Sequence, residues 1–186
     1  MLDEIRIKGV TVVHLREYVQ EKYGVREYER VVAALPPSAA AIFRSPFAHE
    51  WYPLREHAAI EAKVAEVLYG GDITKARAFG SWDCKKQLGV VYRVLLRVLE
   101  PSYVIKKSGA IWSLMMSGGR MDVQTTSPRS CLVRLSGYDP HHEVMCHDWI
   151  GTFEGVLELC HAKDPKVSHP ECRFHGSPAC TFQVDW

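Results

Sequence analysis

Apolar positions along this chain keep two different periods. From about Thr11 to Gly118 they recur every three or four residues: Ile60, Val64, Val67 and Leu68 form one stripe, and Leu88, Val91, Tyr92, Leu95 and Val98 another. That spacing predicts helices. Pro36-Pro37, Pro53, Gly70-Gly71 and Pro101 punctuate the run, and Asp72 is placed to cap a helix after the glycine pair. Between Pro101 and Met116, the residues Val104, Ile111, Trp112 and Met115 share one helical face. After Gly118-Gly119 the period becomes two. Met121, Val123 and Thr125 alternate with polar neighbours, as do Cys131, Val133 and Leu135, which predicts two half-buried strands joined at Ser127-Pro128. A further helix, roughly His142 to Ala162, turns Met145, Trp149, Phe153, Val156 and Cys160 inward, and Gly151 and Gly155 leave room for another element to approach. Two short strands close the chain, the last with Cys180, Phe182, Val184 and Trp186 on one face. The predicted fold class is α+β: an N-terminal helical layer on an antiparallel sheet, one crossing helix and a C-terminal hairpin.

A length of 186 residues suits one well-cored domain, so 1–186 is expected to be a single unit. The formal net charge of +1 gives no reason to expect nucleic acid or an acidic membrane as the main partner. No apolar run is long enough to span a bilayer, and Met1-Leu2-Asp3-Glu4 opens with acids where a signal peptide carries bases, so a cytoplasmic location is expected. In a reducing compartment the six cysteines are expected as thiols or metal ligands, not disulfides.

Cys146, His169, Cys172 and Cys180 carry the most specific chemistry. Their spacing is Cys-x22-His-x2-Cys-x7-Cys, three sulfurs and one nitrogen, the donor set of a closed tetrahedral zinc site. The turn residues His175-Gly176-Ser177-Pro178 let Cys172 and Cys180 meet across a hairpin. Residues three apart on a strand face opposite sides, so His169 and Cys172 converge only where the backbone bends, and Pro170 stands at that point. Two alternatives stay open: His147, His161 or His175 in place of His169, and a disulfide between Cys172 and Cys180. Cys84, Cys131 and Cys160 are read as core.

The run from Gly151 through Trp186, with Gly-x3-Gly-Val-Leu-Glu-Leu, Glu171-Cys172, Gly176 and Cys180-Thr-Phe-x-Val, resembles the end of the 4-vinyl reductase domain family, whose fold is that of the TRAPP transport-complex subunits. The family includes zinc-containing sensor domains of aromatic-responsive bacterial activators, with the pattern Cys-x22-Glu-x2-Cys-x7-Cys, and short stand-alone myxobacterial proteins. Here His169 stands where that pattern has Glu. The resemblance is best over about 79–186, with residues 1–70 matched only as a helical part. It implies structural zinc as the cofactor, a zinc-clamped hairpin, and a buried apolar pocket for a hydrophobic or aromatic small molecule. Candidate pocket residues are Phe79, Trp82, Tyr92, Trp112, Met115, Met116 and Trp149, each of which could equally be plain core.

The resulting expectation is a non-enzymatic small-molecule sensor or adaptor, self-associating as a homodimer. The alternative is a protein-interaction module that dimerises in the manner of TRAPP-type subunits, and an enzyme of reductase type ranks behind both. Cys146-His147-Asp148 places a thiol, a base and a carboxylate in a row, yet adjacent helical side chains diverge by about 100°. No GxGxxG, P-loop, HExxH or GxSxG motif is present. A haem nitric-oxide sensor is set aside because its Tyr-x-Ser-x-Arg motif for the haem propionates is missing.

Overall fold

Glycine and proline set the joints of the helical half. The computed structural model describes residues 4–88 and 100–186. Strand β1 (Arg6–Lys8) leads into α1 (Gly9–Tyr23), and Gly24, with φ 87°, turns the chain into α2 (Val25–Ala34). Pro37 opens α3 (Pro37–Arg44), its fixed φ suiting the first helical turn. Strand β2 (Trp51–Pro53) then pairs antiparallel with β1 and delivers the chain to α4 (Leu54–Leu68). Gly70 and Gly71 both have positive φ, and Asp72 caps a short 3-10 turn by accepting from the Thr74 N–H at 3.1 Å before α5 (Ala76–Gln87) begins.

Pro101 opens α6 (Pro101–Met115), which runs to the main sheet. That sheet holds β3 (Arg120–Ser127), β4 (Ser130–Ser136), β5 (Lys166–Glu171) and β6 (Cys180–Asp185) in the order β3-β4-β6-β5, all antiparallel. Helix α7 (Val144–Leu159) crosses between β4 and β5 in sequence. It packs against α5 so closely that a Cβ on Gly151 would overlap the Arg77 carbonyl oxygen, and one on Gly80 the Asp148 carbonyl oxygen. Only glycine permits this approach, and it brings the facing sides of α5 and α7 together.

The expected α+β layering, the hairpin at Ser127-Pro128 and the alternation on β4 and β6 are all present. One detail differs. The helical half contains the β1–β2 pair, which was not foreseen. Val104, Ile111, Trp112 and Met115, expected on one face of α6, do share a side, although Ile111 is 46% exposed. The predicted stripe of Val91, Tyr92, Leu95 and Val98 lies outside the described residues.

Candidate functional site

A cavity of about 140 Å³ lies among α1, α5, α6 and α7, with Ile7 of β1 and Met121 of β3 also on its wall. Helix α6 contributes Ile105, Ser108, Trp112 and Met115, residues spaced three or four apart and so aligned on one face. Helix α7 contributes Met145, Asp148, Trp149, Thr152, Phe153 and Val156 by the same periodicity. Asp83, Cys84 and Gln87 of α5 and Thr11 of α1 complete the polar side. The Trp112 and Trp149 rings lie 5.3 Å apart with an interplanar angle of 32°. Their N–H groups are satisfied elsewhere: Trp112 donates to the Gly118 carbonyl at 3.0 Å and Trp149 to the Tyr138 hydroxyl at 3.2 Å, so both present carbon faces to the cavity.

Of the predicted pocket residues, Trp112, Met115, Met116 and Trp149 line this space. Phe79 and Trp82 do not: both pack on Tyr18 of α1, at ring distances of 5.5 and 5.4 Å, and the Lys86 ammonium sits over the Trp82 ring. Tyr92 lies outside the described residues.

The acids of the site were missed. Asp83 and Asp148 are both buried on the cavity wall, and both sit on α5 or α7 within otherwise inward-facing stripes. Asp83 is fully partnered, with Oδ1 2.5 Å from His14 Nδ1 and Oδ2 accepting from Gln87 at 2.6 Å. Asp148 is not, for its buried Oδ1 has no hydrogen-bond partner among the described residues. Burial pushes the Asp148 carboxyl well above the carboxylate range, and the neighbouring acids Glu61 and Asp83 push it further. Glu61 itself is buried beside His57, with His57 Nε2 2.8 Å from Glu61 Oε1 on successive turns of α4. The signal for these groups was available in sequence as a charged residue falling on an apolar helical stripe.

At the first turn of α7, on another side of the helix, stand the four predicted ligands. Cys146 Sγ is 4.0 Å from Cys172 Sγ and 3.9 Å from Cys180 Sγ, and the ligand atoms of Cys146, His169, Cys172 and Cys180 all lie within 4.8 Å of one another. The β5–β6 register breaks between Ser168 and Glu171, so the bend expected at Pro170 is what turns His169 and Cys172 to a common side. His169 stacks on Phe182 at 4.5 Å and 7°. His175 pairs instead with Glu143 at 3.2 Å. All six cysteines are free thiols, so the disulfide alternative is not realised. Cys180 is held low, at about 4, chiefly by a hydrogen bond from Cys146, whose own thiol is raised by that same contact. Cys146 points to this cluster while Asp148 lines the cavity, so Cys146-His147-Asp148 forms no catalytic array.

No family model matches the chain, and no curated protein matches it. Solved structures do. The chain is similar to an H-NOX protein from S. oneidensis in the Fe(II)NO ligation state, with a TM-score of 0.75, 16% identity, and 96% of this chain and 98% of that one covered. It is similar to the Fe(II) unliganded H-NOX protein from K. algicida, with a TM-score of 0.72, 10% identity and 96% of each chain covered. A structure from work on haem distortion in the H-NOX family gives a TM-score of 0.73, 14% identity, and 97% and 95% coverage. The fold is therefore the H-NOX fold. This overturns the 4-vinyl reductase and TRAPP resemblance, which rested on a short helix-and-hairpin pattern that the H-NOX topology also accommodates. It overturns structural zinc as the cofactor inherited from that resemblance too, because these neighbours are haem and Fe(II) proteins.

Haem itself does not fit the described residues. A cavity of about 140 Å³ matches a single aromatic ring, since an apolar cavity of about 150 Å³ takes benzene. Haem iron needs an axial His, Tyr, thiolate or a Met paired with His, and among the described residues the wall holds neither His nor Tyr. Cys84 is present, but burial pushes its thiol up to about 12, which disfavours the thiolate that iron would bind. The two propionates need basic partners, and the described wall offers Asp83 and Asp148 instead of Lys or Arg. The missing Tyr-x-Ser-x-Arg motif agrees with this geometry.

Proposed function

We propose that this chain is a non-enzymatic small-molecule sensor or adaptor domain, which uses the H-NOX fold without haem and takes a single-ring ligand in the cavity between α5, α6 and α7. The observation that carries the reading is the cavity wall: Trp112, Trp149, Phe153 and Met115 present apolar faces around a volume suited to one ring, with few polar groups to fix it. Side chains there bind and orient; the tetrad of Cys146, His169, Cys172 and Cys180 closes the end of the chain as a site for a thiophilic metal ion, as its converging soft donors suggest.

Purified protein should gain thermal stability in a saturable way on addition of toluene, by about 2.7 kcal/mol when ligand stands near a hundredfold over its dissociation constant. Trp112 and Trp149 should report the same event by fluorescence. Added haem should pass through gel filtration without the protein. A Soret band retained at one haem per chain, or no response to any apolar probe, overturns the reading.

A further inference from the structure

Among the described residues, Asp148 is the carboxyl of the cavity wall with an oxygen left without a partner. Its residue is 9% exposed, and its Oδ1 is buried with no hydrogen bond among the described residues. On the α5 side the approach is blocked by backbone, since a Cβ on Gly80 would stand 2.5 Å from Asp148 Oδ1. The charges that act on it are those of Glu61 and Asp83, both acidic. Asp83, on the same wall, has both oxygens satisfied by His14 and Gln87. Among the described residues, one wall thus holds a completed carboxyl and an incomplete one.

A buried polar group without a partner is costly, and a buried carboxylate more so, unless something supplies the missing donor. The open side for that donor is the cavity that Asp148 lines. The same cavity is lined by Trp112 and Trp149, whose rings attract a cation through their quadrupole. Carboxyl and aromatic faces ask for the same ligand feature.

We infer that the cavity selects a small ring compound bearing an ammonium group, with the ammonium donating to Asp148 and the ring seated against Trp112 and Trp149. The inference rests on the proposed function and names the chemical class that the same site takes. An anionic ring compound is disfavoured, because its charge would be buried on a wall that among the described residues holds no Lys or Arg to partner it.

Binding of toluene, benzylamine and benzoate to the full chain, read by calorimetry at neutral pH, decides the matter. Benzylamine should bind at least tenfold tighter than toluene, and benzoate weaker than either. In Asp148→Asn the benzylamine-to-toluene ratio should collapse to within about twofold. If toluene binds and benzylamine binds no tighter, or the ratio survives in Asp148→Asn, this inference falls while the proposed function stands. If none of the three binds, both fall. Should Asp148→Asn fail to fold, the order of the three probes on the unaltered chain still decides: equal or reversed affinities overturn the ligand class.

Discussion

Folding takes the Asp83 carboxyl out of water and hands it to partners on two helices, His14 of α1 and Gln87 one turn along α5. Burial is the largest influence and raises its pKa above the usual carboxylate value; His14 and Gln87 pull it back, and His57 of α4 acts in the same downward sense. The net direction is up. Asp148 faces it from α7 as a further acid. Because the folded pKa exceeds the unfolded one, the native state keeps a proton that the unfolded chain has already lost, and stability declines as pH rises between those two values. Asp83→Asn removes that contribution. Urea unfolding from about pH 4 to about pH 7 should therefore show stability falling less steeply with pH in the variant than in the parent. Equal slopes would mean that Asp83 does not set the pH response.

Helix α7 and the hairpin after it show how one element serves two purposes. Cys146 in its first turn joins the tetrad, while Asp148, Trp149, Thr152, Phe153 and Val156 follow down the cavity side. If the tetrad closes the β5–β6 hairpin through a bound ion, purified protein should carry about one equivalent of a thiophilic metal, found by elemental analysis. Cys172→Ser should lose it and lower stability by at least about 2 kcal/mol, since loss of a metal clamp is among the few single changes with effects of that size. Full stability in a metal-free protein would remove the clamp. Much of this element was legible beforehand: the stripe of Met145, Trp149, Phe153 and Val156, the alternation of β6 and the bend at Pro170 follow from elementary periodicity and backbone restriction. What was not legible has physical reasons as well. Strands of three residues, Arg6–Lys8 and Trp51–Pro53, are too short to show a period, and their pairing is set by tertiary contact. Phe79 and Trp82 are buried or half-buried as apolar residues should be, but periodicity says that a side chain turns inward, not which space it meets. The family resemblance failed for a related reason, since a motif confined to one helix and one hairpin does not determine how seven described helices and two sheets are arranged.

At the scale of the whole molecule, the cavity and the tetrad are joined by a continuous line of aromatic rings. Trp112 and Trp149 form the cavity wall; Trp149 meets Phe153 at 6.2 Å, Phe153 meets Phe182 of β6 at 5.4 Å, and Phe182 is stacked on His169 of the tetrad at 4.5 Å. Packed rings of this kind cannot shift one at a time without opening voids, so a ligand that fixes Trp149 constrains Phe153 and, through it, β6. Among the described residues no helix is long and apolar enough to cross a membrane. Coupling of this type is a free energy shared by both ends, and it is reciprocal. Hydrogen exchange with and without a saturating ring ligand should show slower exchange in α7 and also across β5 and β6, about 1 kcal/mol or more of added protection at the hairpin. Phe182→Leu, which breaks the ring line while keeping an apolar side chain, should leave the protection in α7 and abolish it in the hairpin. Protection confined to the cavity helices in the parent protein would show that the two ends act independently, with the fold carrying a binding site and a closure that share a helix but no energy.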